Sequence, residues 1–200
     1  MSTPRSELES VEIALPAARL PASVTLAQAL QSRHSSRAFA PQPLTLEQLG
    51  TLLWCAFGIN RSEPRGRTAP SAHNWQETDL YAVTAAGAYR YEPVRHRLVR
   101  VSDADLRADT GVQDFVAIAP LNLVFVGDLA RMEGVQGDEM HFLAGSDAGC
   151  IAQNVYLCCA AMGLATVVRG LIDRQRLATA LDLRPQQRVT LAQSVGRPAT

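Results

Sequence analysis

Apolar and polar positions along the chain follow two periods, and the switches between them outline most of the elements. Leu46, Leu49, Leu52, Leu53, Ala56 and Phe57 recur at helical spacing and predict an amphipathic helix that stops at Gly58. The quartets TLAQ at 25–28 and TLEQ at 45–48 place a threonine three residues ahead of a glutamine, a capping box that opens a helix. The first predicts a short helix ending near Ser32, and Pro41 and Pro43 keep the link to the second extended. DLYAV, AYRYE and RLVRV have strand character, with turn signals at Gly87 and Pro93, and LNLVFVG at 121–127 reads as a buried strand. Short helices are expected near 103–108 and 112–118, and a polar stretch, loop or helix, over 128–140. From Phe142 to Met162 the chain is apolar nearly all round, with Asp147 its one charge. Such a helix must be covered on every side, which predicts a central helix at a subunit interface. ATVVRG is extended, Asp173 to Leu181 helical, and VTLAQSVG the last strand. Without regular βαβ alternation this reads as an α+β fold with a mixed sheet.

Two hundred residues fit one ordinary domain. Residues 1–24, rich in Pro and Ala, read as an arm that drapes over a partner subunit, and 25–200 as the domain itself. Hydrophobic residues make up 47% and charged ones 19%, with a formal net charge of +0, so no global field attracts nucleic acid or an anionic membrane. Any anion site must be local. Glu7, Glu9 and Glu12 break the pattern of a signal peptide, and no apolar run is long enough to span a bilayer. Cys55, Cys150, Cys158 and Cys159 lack metal-ligand and CxxC spacing and read as free thiols. A cytoplasmic location is the expectation.

The candidate anion site is RHSSRAF at 33–39. In extended chain Arg33, Ser35 and Arg37 share one face, and two guanidinium forks with a hydroxyl suit a phosphate. The alternative is a solvated basic patch at a helix end. His34, His73, His96 and His141 form no HExxH and pair with no cysteine at ligand spacing, so no metal site is expected. GxSxG, GxGxxG and GxxxxGK[ST] are all absent. No side-chain nucleophile is expected either, and catalysis would rest on the reactive atoms of a bound cofactor. The polar loop 59–77 is of a length that is usually functional or disordered.

RHSSRAF, PSAHNWQ at 70–76, GVQDFVAIAPLNLVFV at 111–126, AGCIAQNVYLCCAAMGLATVVRG at 148–170 and SVGRP at 194–198 occur in an order that resembles the nitroreductase family of FMN-dependent oxidoreductases. The likeness is greatest to its azoline-oxidising branch, through RTAPSA, YRYEP and the AQN-Y helix. It implies a nitroreductase-like fold, with a central mixed or antiparallel sheet flanked by helices and a buried central helix at a homodimer interface. The resemblance further implies FMN as cofactor, NAD(P)H as reductant and a small organic acceptor. Arg33 and Ser35 would hold the FMN phosphate, His34 would lie beside the ribityl chain, and Arg37 near the pyrimidine edge. Ser71 and Asn74 would reach the partner's flavin. Gln113 would hydrogen-bond the ring, and the Val168–Arg169–Gly170 backbone would lie against it; the Arg169 side chain, where the family often has an acidic or apolar residue, is expected to face solvent, the alternative being an inward turn that makes the site more positive. Arg197 stands where many members have a basic extension that completes the phosphate site.

Overall fold

The computed structural model of the protein describes residues 11–63 and 66–199. Seven strands form one sheet: β1 (Glu12–Ala14), β2 (Thr78–Thr84), β3 (Gly87–Glu92), β4 (Arg97–Ser102), β5 (Leu121–Asp128), β6 (Ala165–Arg169) and β7 (Gln187–Gly196). Their order is β1-β4-β3-β2-β5-β7-β6. Every described pairing is antiparallel, so the sheet is antiparallel throughout rather than mixed. The four helices are α1 (Leu26–Ser32), α2 (Leu46–Phe57), α3 (Gly137–Met162) and α4 (Arg174–Ala180).

Both expected capping boxes form. Thr25 and Thr45 accept from the Gln28 and Gln48 backbone amides, while the two glutamine side chains accept from the threonine amides. The short helices expected near 103–108 and 112–118 are single 3₁₀ turns, Arg107–Thr110 and Asp114–Val116. Of the proposed arm, residues 1–10 lie outside the described residues. Glu12–Ala14 adds an edge strand to the chain's own sheet, with Ile13 opposite Leu98.

Burial on both faces of the sheet explains the near-continuous apolar strands. Leu80, Ala82, Leu121, Leu123 and Phe125 pack against α2 and α3. Their neighbours Tyr81, Val83, Val124 and Val126 point the other way, toward Leu177 and Leu181 at α4. All eight residues of β5 are buried, and truncating its Phe125 to alanine would cost about 3–5 kcal/mol.

α3 begins five residues earlier than its apolar run, because Asp138 and Glu139 occupy the first turn, where negative charge favours a helix. It ends at Gly163, whose φ of 65° only glycine adopts without strain. One face of α3 is buried through Ala148, Ile151, Val155 and Cys159, while Ser146, Gly149, Cys150 and Gln153 are exposed on the other. Within one chain, then, the helix is covered on one side. No helix among the described residues is long and apolar enough to cross a membrane.

Candidate functional site

The RHSSRAF segment leaves α1 in extended conformation and lies beside β6, at the edge of the sheet. The Ser36 amide donates to Thr166 O at 2.9 Å, and Phe39 bridges Pro198 in antiparallel register. Arg33 and Ser35 meet the same residue, Tyr156 of α3. The Arg33 guanidinium stands 5.3 Å from the centroid of its ring, and Ser35 Oγ is 2.7 Å from its hydroxyl. Alternation along an extended chain therefore brings Arg33 and Ser35 to one surface, as the spacing predicts. The Tyr156 hydroxyl also accepts from the Val168 amide at 3.0 Å. One phenol thus ties the basic segment to β6.

Arg33, His34, Ser36, Tyr156, Thr166 and Pro198 line a cavity of about 210 Å³. Exposed His34 meets Ser32 O through Nδ1 at 2.8 Å. Arg33 and Arg37 have no carboxylate partner among the described residues, and Arg37 is exposed. The Arg197 side chain makes no hydrogen bond to another described residue, but its carbonyl accepts from the Ala40 amide, which places the end of β7 against the RHSSRAF segment.

Arg169 departs from expectation. Its side chain is 4% exposed and points into the protein. Ala165, Val167 and Arg169 share a face of β6, and the first two pack on Phe39 and Ala119, so the strand's alternation turns Arg169 inward. Its Nη1 donates to Thr110 O at 2.7 Å, Nη2 to Asn122 Oδ1 at 3.0 Å and Thr110 Oγ1 at 3.3 Å, and Nε to Ser194 Oγ at 3.2 Å. Burial lowers its pKa to about 10, so it remains charged at neutral pH. The guanidinium fits because residue 111 is glycine: a Cβ there would lie 2.1 Å from Nη1 and 3.2 Å from Gln113 Oε1. Gln113 Oε1 is buried and has no hydrogen-bond partner among the described residues. Over Gly170, by contrast, a Cβ would meet only Leu191 Cδ2, at 3.9 Å, so the backbone there is open to a close approach.

Ser71 and Asn74 sit elsewhere, beside Asp147. That residue precedes Tyr156 by nine positions, about 14 Å along the helix. Within one chain the structure does not join them to the Arg33 cluster. Their loop is strained, with His73, Asn74 and Gln76 all at positive φ (49°, 56° and 50°). Hydrogen bonds from within and outside the loop hold it. Ser71 Oγ accepts from the Gln76 amide, Asp147 Oδ2 from the Ala72 amide, and Asn74 Oδ1 from Gln76 Nε2. Arg67 and Arg131 donate to the Gln76 side chain and carbonyl. Positive φ at three non-glycine residues persists only because the surrounding bonds hold it. Beneath the loop lies Glu77, wholly buried, with Oε1 accepting from Thr78 Oγ1 and its carboxyl interacting with that of Asp147. Burial raises the pKa of Glu77, and Asp147 adds to the rise. Burial raises that of Asp147 too, against the lowering effect of the Ala72 amide. No three His, Cys, Asp or Glu side chains among the described residues form a metal-binding group.

Sequence reasoning missed Tyr156 as a site residue. The signal was present, because a phenol in a helix buried among Ala152, Val155 and Cys159 requires a partner for its hydroxyl.

Residues 30–197 match the nitroreductase family, and the chain belongs to it. A protein of Methanocaldococcus jannaschii bearing the nitroreductase name is 32% identical over 173 residues, covering 81% of this chain and 85% of that one. A crystal structure from Ralstonia eutropha, also named for nitroreductase, superimposes with a TM-score of 0.90 at 43% identity, over 94% of this chain and 90% of that one. The Escherichia coli microcin synthetase complex shares the fold at a TM-score of 0.72 and 16% identity, over 90% of this chain and 76% of the matched one. The family is one of flavin-dependent oxidoreductases, and its fold is the one described above.

Proposed function

We propose that the protein is a homodimeric, FMN-dependent oxidoreductase that carries electrons from NAD(P)H to a small organic acceptor such as a quinone or nitroaromatic. The chain's own residues suit FMN. Among the described residues, Arg33 and Arg37 have no carboxylate partner and the buried Gln113 Oε1 has no donor, and the space above Gly170 is open. When bound, the flavin supplies the two-electron redox chemistry.

Arg33 and Ser35 would hold the phosphate. The Val168 amide donates to the Tyr156 oxygen, and in the arrangement proposed the Tyr156 O–H in turn donates a hydrogen bond to Ser35 Oγ. That relay leaves the Ser35 O–H turned outward as a donor to an anion. The Tyr156 face steadies the Arg33 guanidinium, a contact worth about 0.5–1 kcal/mol. His34 would flank the ribityl chain. Arg37 would offset negative charge at the pyrimidine edge, and the Val168–Gly170 backbone and Gln113 would contact the ring. Ser71 and Asn74 would act in the partner's site, and the open face of α3 would be covered by the second subunit. These residues bind, orient and exclude water, and none acts as nucleophile.

This reading is carried by the convergence of Arg33 and Ser35 on Tyr156 and, through it, on Val168. Anaerobic stopped-flow mixing of FMN-loaded protein with NADH or NADPH tests it. Bleaching of the flavin band, followed by recovery on adding p-benzoquinone, is expected, and no bleaching by either nucleotide would overturn the NAD(P)H assignment. A second reading, a dehydrogenase that oxidises a ring or peptide substrate, rests on RTAPSA, YRYEP and the AQN-Y helix. It predicts bleaching by such a substrate and not by NAD(P)H.

A further inference from the structure

Arg169 is a buried cation whose partners are all neutral: a backbone carbonyl, two hydroxyls and an amide oxygen. No carboxylate among the described residues reaches it, and the nearby Asp109 is engaged by Arg176. Burying a charge without an opposite one is costly, and the usual remedy is a carboxylate. Here the fold supplies four hydrogen bonds and leaves the charge standing. If the residue only pinned the Thr110 turn to the sheet, a neutral side chain could make some of those bonds without that cost. What remains is the field. The cation lies between the two segments read above as touching the flavin ring, the Val168–Gly170 backbone and Gln113, whose orphaned oxygen shares the Gly111 gap with the guanidinium.

We infer that Arg169 is a positioning and electrostatic residue of the flavin site, its uncompensated charge favouring the reduced, negatively charged form of the coenzyme. The inference rests on the FMN reading of the preceding subsection. It adds a second cation to the site besides Arg37, one that cannot swing away and that counter-ions in solution cannot screen. A buried site also makes a fixed charge more effective than an exposed one. Removing that charge is expected to disfavour the developing negative charge by about tenfold. For a two-electron couple, tenfold is about 30 mV.

The midpoint potential of the FMN-loaded protein, measured by dye equilibration, tests this with three variants. R169M removes the charge at similar volume. R169K keeps the charge and loses the fork. N122D keeps Arg169 and places a carboxylate where the 3.0 Å amide contact now stands, giving the cation a counter-ion at the cost of the Asn122 Nδ2–H bond to Val116 O. R169M and N122D are expected to lower the potential by about 30 mV, with R169K close to wild type. The inference is overturned if both R169M and N122D keep the wild-type potential, or if R169K falls as far as R169M. It is overturned equally if no charge-removing variant folds, since Arg169 would then serve structure alone. Wild-type protein that retains no flavin would defeat the FMN reading itself, a result distinct from flavin retained at an unmoved potential.

Discussion

Replacing Tyr156 by phenylalanine probes the joint on which the site is built. The change keeps the ring under Arg33 and deletes one oxygen, which serves both the Val168 amide at 3.0 Å and Ser35 Oγ at 2.7 Å. The half-buried Val168 N–H would lose its partner, at a cost in the lower part of the 1–3 kcal/mol range for an unsatisfied donor, about 1–2 kcal/mol. Exposed Ser35 rehydrates at little cost. For a chain of this size each kcal/mol moves Tm by roughly 2–4 °C, so differential scanning calorimetry of the flavin-free protein should record a fall of about 2–8 °C. Binding should weaken separately. Without the Tyr156 proton to orient it, Ser35 offers an anion a less fixed donor, a loss of about 1 kcal/mol or about fivefold in Kd, read by quenching of FMN fluorescence. Unchanged Tm and Kd in Y156F would refute the relay. A loss beyond a hundredfold would also refute it, since Tyr156 would then be touching the ligand directly.

Other perturbations separate the remaining roles. R33A should lower FMN affinity by about 1.5–3 kcal/mol, the worth of a charge-assisted hydrogen bond, whereas R37A should chiefly slow reduction; equal effects on Kd would contradict that division, with titration and stopped-flow as the assays. Glu77 and Asp147 both have raised pKa values, so the folded state holds their protons more tightly than the unfolded state does. Their contribution to stability is present in acid and is lost as pH climbs from the ordinary carboxylate range through the folded values. E77Q, permanently neutral, should therefore flatten the decline of Tm with pH above about 4.5, and an unchanged slope would argue against the buried acid pair. On the open face of α3, a Cβ at Gly149 meets nothing within 4 Å. G149L should add about 0.7 kcal/mol of helix propensity to the isolated chain while splitting the proposed dimer and exposing Cys150 to thiol reagents; size-exclusion elution as an unchanged dimer would refute the proposed interface.

Most of the fold was legible because it depends on local signals. The capping threonines, the Leu46–Phe57 periodicity and the apolar run of β5 each specify an element without reference to the rest of the chain. Strand direction is not such a signal. Whether β6 and β7 run parallel or antiparallel depends on the path between them, which periodicity does not encode, so the expectation stood at mixed or antiparallel, and the described pairings are antiparallel. The site was legible in part. Of the three RHSSRAF residues that alternation sets on one face, Arg33 and Ser35 meet at Tyr156 while no contact among the described residues ties Arg37 to them, and the same rule went unapplied to ATVVRG. There, Ala165 and Val167 would have shown Arg169 turning inward with them. Its neutral partners come from Thr110, Asn122 and Ser194, remote in sequence, and no local pattern announces that kind of pocket. The Asp147 contact that braces the Ser71 loop spans 75 residues and was equally invisible.

The central claim is that paired guanidinium and hydroxyl groups at the end of α1 grip a phosphate whose attached ring does the redox work. It is tested most directly by incubating purified protein with excess FMN, desalting it and recording the visible spectrum. The account predicts retained flavin bands at about one FMN per chain in wild type and their marked loss in R33A. A wild-type protein that leaves the column colourless would contradict it.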